Sequence, residues 1–135
     1  HKGEISFPGG VFQKTDSSLE YTALRETYEE IGLPDSHVQV LCRLSSVEVN
    51  TGFQITPILG IVNPPQAFTA QKTEVAEIFE VPLEIMLNPK NYVMKETLFL
   101  YYENYTIWGA TAKIAFLLCA KRFKNLPFKI SCNTI

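Results

Sequence analysis

The stretch ALRETYEEIGL, residues 23–33, governs the reading of the whole chain. Its pattern predicts a helix over residues 17–31. Ser17 with Glu20 fits a capping box, Asp16 is the alternative N-cap, and Gly32 followed by Pro34 ends the helix. At about 100° per residue, Tyr21, Leu24, Tyr28 and Ile31 share one side, which is expected to pack on a sheet. Glu26 and Glu30 fall on roughly the opposite side, and Glu29 flanks them. Like charges at this spacing cost a helix about 0.2–0.5 kcal/mol per pair, so the crowding calls for a reason.

A hard divalent cation supplies one. Mg²⁺ takes oxygen ligands, keeps several waters, and binds through one or two carboxylates together with substrate phosphates. Ala23 is small and leaves room beside the acidic patch. The plain alternative is a solvated acidic face, the ordinary role of glutamates on a helix. Two neighbours weigh against it. FPGG, residues 7–10, is a tight glycine turn whose backbone can approach a ligand closely. Arg25 stands beside the acids and can hold a carboxylate in place.

Outward from the helix, strands and turns alternate. GEISF (3–7) reads as a short strand that stops at Pro8-Gly9-Gly10. HVQVLCRLSSVEV (37–49) reads as one or two strands. FQITPILGIV (53–62) reads as another, with Pro57 forcing an edge or a bulge and Asn63-Pro64-Pro65 ending it. EIFEVPL (77–83) is a predicted strand, and LEIMLN (83–88) a short helix. ETLFLYYE (96–103) and YTIWG (105–109) form a predicted hairpin around Glu103-Asn104. A last helix is expected over residues 110–123, with Ile114, Leu117 and Leu118 as its apolar stripe. Mixed strands with two substantial helices make an α+β chain.

The bulk numbers set the frame. A chain of 135 residues predicts a single domain, 1–135, with roughly 124–135 as a tail. A formal charge of −2 gives no reason to expect nucleic acid or a membrane as a partner. No apolar run approaches the ~20 residues that span a bilayer. Cys42, Cys119 and Cys132 form no CxxC pair, which argues against a disulfide framework or a zinc site. Cys42 and Cys119 read as small buried hydrophobes. An intracellular, by default cytoplasmic, location is expected, with no organelle signal in view. The chain opens on His1 rather than Met and runs almost at once into a motif, so residues are expected to precede it.

Arg25-Glu26-Thr27-Tyr28-Glu29-Glu30-Ile31-Gly32-Leu33 resembles the second half of the Nudix box, G-x5-E-x7-R-E-U-x-E-E-x-G-U, where U is aliphatic. Thr27 stands where an aliphatic residue is usual. Upstream the spacing departs: Ser17 occupies the position of the first glutamate, and Val11, one past Gly10, that of the first glycine. GEISFPGG, KTD (14–16) and TALRE (22–26), in that order, resemble the coenzyme A pyrophosphatase branch of the Nudix family. EVAEIFEVPL (74–83) and IWGATAKI (107–114) do so too, and the resemblance covers about residues 1–123.

The resemblance implies an α/β/α sandwich around a mixed sheet, with at least one strand upstream of His1. It implies hydrolysis of a diphosphate linking a nucleotide to another group. Coenzyme A or its thioesters would give 3′,5′-ADP and 4′-phosphopantetheine. Mg²⁺ or Mn²⁺ is the implied cofactor, with Glu26 and Glu30 as metal ligands, Glu29 as a third, and the Gly10 carbonyl as a weak addition. Arg25 would orient a box carboxylate, and Glu20 or Asp16 would replace the glutamate missing at Ser17. The general base would be one of the clustered glutamates, or Glu74 or Glu77. The implied partner is a small nucleotide; a homodimer is compatible with it. ADP-ribose or a dinucleotide is the alternative substrate, and a non-catalytic Nudix-fold binding domain the alternative class.

Overall fold

A computed structural model describes residues 3–63, 67–120 and 132–134. In chain order its elements are helix α1 (Leu19–Ile31), strands β1 (Val38–Arg43), β2 (Val47–Glu48), β3 (Gln54–Ile55), β4 (Ile58–Val62) and β5 (Phe79–Val81), and helix α2 (Leu83–Leu87). Strands β6 (Tyr92–Met94), β7 (Leu98–Tyr102) and β8 (Tyr105–Trp108), helix α3 (Gly109–Ala120) and strand β9 (Cys132–Thr134) follow. The chain is α+β. It divides into two compact units: His1–Arg43, Ile58–Phe79 and Asn133–Ile135 form one, Leu44–Pro57 and Glu80–Cys132 the other. The expected end of the last helix at Phe123, most of the expected tail, the Pro64-Pro65 stop and His1 lie outside the described residues.

In the first unit β1 and β4 pair antiparallel, from Val38 against Val62 to Arg43 against Ile58, with a bulge between Val40 and Cys42. α1 lies against β4, and Ile31, Leu33, Leu59, Ile61 and Val75 form the core. The helix begins two residues later than the sequence predicts. Its N-cap is Ser18, whose hydroxyl accepts the Tyr21 N–H at 3.1 Å, because the loop before it is held in place by Asp16. Gly32 ends the helix as predicted, at φ 70, and its N–H returns to the Tyr28 carbonyl at 2.9 Å.

Two expectations about this unit fail. GEISF is not a strand: alternation only makes a strand where a neighbouring strand supplies a ladder, and residues 4–7 run irregularly. α1 also buries only part of its apolar face: Ile31 is buried and Leu24 is partly covered. Tyr21 and Tyr28 are exposed (47% and 60%), while Thr22 is buried and Glu26 and Glu30 are partly covered. The tyrosines tolerate water through their hydroxyls, and Thr22 is drawn inward by donating to Asp16 at 2.8 Å. Part of the acid-bearing side, at Glu26 and Glu30, is therefore covered as well, while Glu29 stays exposed.

The second unit holds a meander, β6-β7-β8, in which Leu100 pairs with both Tyr92 and Ile107. Tyr102 faces Tyr105, so Glu103-Asn104 is the two-residue turn that the sequence predicts. β6 is missed by the sequence reading because three residues carry too little alternation. α3 packs on β7, β8 and α2. It buries Ala112, Ala115 and Leu118, while Ile114 and Leu117 are only partly covered. Pro57 splits the long predicted strand into β3, paired with β2, and β4 of the first unit. Cys42 and Cys119 are free thiols and half-buried rather than buried.

Candidate active site

The Asp16 side chain organises the start of the acidic helix. It is 1% exposed and accepts four hydrogen bonds. Gln13 N–H (2.9 Å) and the Thr22 hydroxyl (2.8 Å) fix it to the backbone loop and to α1. Arg25 Nε and Nη2, both at 3.0 Å, meet its two oxygens as a fork. The Arg25 guanidinium, helped by these other donors, holds the Asp16 carboxyl well below the usual carboxylate range. Glu20 does not take this place. It pairs with Arg43 of β1 at 2.6 and 2.9 Å, which lowers it to about 2. Asp16, and not Glu20, is thus the carboxylate that pairs with Arg25.

The remaining Arg25 nitrogen, Nη1, faces the other acids. It donates to Glu26 at 2.8 Å and reaches Glu29 at 3.3 Å. The Glu26 side chain is 14% exposed and lies against Gly10, where an added Cβ would collide with its carboxylate. The FPGG turn is therefore glycine at residue 10 for a steric reason. Glu29 turns to Arg25 and is the most open of the three, with 54% of its side chain exposed.

Glu30 is half-buried, and its pKa is pushed up to about 7. Burial is the main cause, followed by the charge of Glu26; the Gly9 N–H, which hydrogen-bonds the carboxylate, opposes them, and Glu74 and Glu29 add to the rise. Glu74 reaches this field through a loop docked on the end of α1. Thr69 N–H caps the Ile31 carbonyl and Gln71 N–H the Glu30 carbonyl, each at 2.8 Å. Gln71 then accepts from the N–H groups of Glu74 and Val75, and buried Val75 pins the turn. Both Glu74 and Glu77 precede β5 rather than riding on it. The charge of Glu74 acts on Glu30.

The structure therefore brings Glu26, Glu29, Glu30, Arg25, Gly10 and Glu74 into one region. Among the described residues no three His, Cys, Asp or Glu side chains form a ready-made coordination set. A cation that keeps most of its waters needs only one or two carboxylates. Glu26, packed on a glycine, and Glu30, repelled by three acids, offer hard oxygen donors where a cation would relieve the repulsion, so the residues fit such an ion. Sequence reasoning missed Thr69 and Gln71, which act through backbone groups and leave no mark in side-chain type. It placed Asp16 only among alternatives; the signal was its position six residues before buried Thr22.

The Nudix domain matches residues 1–99. The chain is 37% identical over 123 residues to the uncharacterized Nudix hydrolase NudL of Enterobacter sp. (strain 638). It is 38% identical to proteins of the same name from Salmonella paratyphi B and Salmonella newport. Each match takes in 84% of this chain, and the chain spans 64% of the length of each relative. With the Nudix domain matched over most of its length, the chain belongs to the Nudix family.

Proposed function

We propose that this protein hydrolyses the diphosphate of a nucleotide-linked substrate, and that coenzyme A or one of its thioesters is that substrate. The observation that carries the reading is Glu26, held by Arg25 at 2.8 Å against the Gly10 turn, with half-buried Glu30 one helical turn on. Glu26 and Glu30 would hold Mg²⁺ or Mn²⁺, with Glu29 as a third ligand. A bound divalent ion supplies charge neutralisation on the diphosphate oxygens and a more acidic water. The chain's own groups do the rest. Arg25 keeps Glu26 facing the glycine turn, and Gly9 N–H steadies Glu30. Glu74 is the stronger candidate for the general base, because the loop docked on α1 carries it towards Glu30. The choice of coenzyme A is supported by the ordered blocks FPGG, KTD and TALRE, and by Asp16 of KTD serving as the partner of Arg25.

The test is incubation of the full-length protein with coenzyme A, ADP-ribose and NADH under Mg²⁺ or Mn²⁺, with products identified by mass. The expected products are 3′,5′-ADP and 4′-phosphopantetheine from coenzyme A. Cleavage of ADP-ribose or NADH alone would move the substrate to the other branch. No cleavage of any of the three under either metal contradicts the proposal.

A further inference from the structure

We propose that the second unit carries a groove for an alkyl-chain carboxylate, with the chain against Met94, Phe116 and Leu117 and the head at Lys113. The groove lies wholly within that unit and has a volume of about 670 Å³, inside the range of small-molecule sites. Val47 and Leu98 line it and are buried; Met94 and Phe116 stand open on it, 70% and 38% exposed. Helix α3 explains the opening. Its sequence GATAKIAFLLCA is apolar on every side, and Lys113 is its only charge. A helix apolar all round calls for cover all round, yet Phe116 is exposed and Leu117 only partly covered. Lys113, Phe116 and Leu117 stand at i, i+3 and i+4, so they share one face, and all three line the groove. Tyr92 holds this wall in place. Its ring meets Phe116 edge-on, with centroids 5.0 Å apart, and its hydroxyl donates to the Met86 carbonyl at 2.7 Å. Met94 is the adaptable wall, since an unbranched thioether fits chains of differing shape.

Charge selects the occupant. Among the described residues Lys113 is exposed and has no hydrogen-bond or ion-pair partner. An anionic head answers that ammonium, whereas a neutral thioester leaves it unanswered, so a free carboxylate fits better than an acyl thioester. Glu48, an acid at the rim, repels an anion from its own end and directs the head to Lys113. The probe is decanoate, titrated calorimetrically into the full-length protein in chelator, so the outcome does not depend on the metal reading of Glu26 and Glu30. Saturable binding is expected, weakening by up to about fourfold for each methylene removed from the chain. Lys113→Gln should weaken decanoate about two- to fivefold, the scale of an exposed ion pair, and leave decanol unchanged. Glu48→Gln should bind decanoate at least as tightly as wild type. Met94→Asp, at an exposed side chain, should melt like wild type and lose decanoate; if it does not fold, Met94→Glu takes its place. No saturable binding of decanoate by wild type overturns the proposal. So do equal losses of decanoate and decanol in Lys113→Gln, and wild-type binding in the folded Met94 variant. Decyltrimethylammonium binding that Glu48→Gln removes would give the groove to a cationic amphiphile. Decanoyl-coenzyme A binding that the Met94 variant removes, with decanoate inert, would give it to an acyl thioester. Either result overturns the assignment to a free carboxylate.

Discussion

At Gly10 one added methyl group collides with the Glu26 carboxylate, whereas at Gly9 it meets open space. The two glycines of one turn therefore make different predictions. Gly10→Ala should displace Glu26 and lower turnover by about a hundredfold, the scale expected for a misplacement of about 1 Å. Gly9→Ala keeps the N–H that serves Glu30 and should lose much less; steady-state rates of the two variants check this. Glu30 makes a prediction about pH. Its pKa is raised from 4.5 to about 7 in the fold, so the folded state binds its proton more tightly than the unfolded chain. The stability this contributes is fully present below 4.5 and is lost as pH rises through about 7. In chelator, Glu30→Gln lacks that slope, so its melting temperature should gain on wild type steadily between pH 5 and pH 8. Parallel melting curves across that range would contradict the assignment.

At the scale of elements, the helix carrying the acids was legible and its surroundings were not. The spacing of Glu26 and Glu30 and the stop at Gly32 are local properties, and they survive intact. Which face of the helix is covered is a tertiary property. Apolar periodicity put Tyr21 and Tyr28 inside together with Ile31; Ile31 is buried, but a buried Asp16 recruits Thr22 and Arg25 and both tyrosines stay exposed. Asp16 lay one residue away from the box position, a shift that only contacts across the loop resolve. The hairpin at Glu103-Asn104 was legible because two long alternating runs flank a two-residue turn, while β6 was too short to declare itself. Gly32 gives the test for this scale. At φ 70 an alanine is strained, although its Cβ would only touch Thr69, 3.4 Å away, in the loop that caps the helix. Gly32→Ala should cost about 1 kcal/mol of stability by chemical denaturation, and it should weaken turnover by loosening the loop that carries Glu74.

For the molecule as a whole, charge is placed locally rather than globally. The net charge is only −2, yet Glu26, Glu29, Glu30 and Glu74 share one region of the first unit, answered by Arg25. Among the described residues no helix is long and apolar enough to cross a membrane. The relatives are longer than this chain, which spans 64% of them, so tests of activity belong to the full-length protein. The central claim is that the acidic helix is crowded in order to hold a divalent cation. A ligand that binds only the folded state stabilises it by about 2.7 kcal/mol at a hundredfold excess over Kd. The most direct measurement is the melting temperature of the full-length protein by calorimetry, in chelator and in saturating Mn²⁺, for wild type and Glu26→Gln. The account predicts a rise of several degrees for wild type and little or none for Glu26→Gln, which in chelator should melt close to wild type because the substitution also removes repulsion. Equal melting of both proteins, with and without Mn²⁺, would mean that these glutamates are a solvated face and would contradict the account.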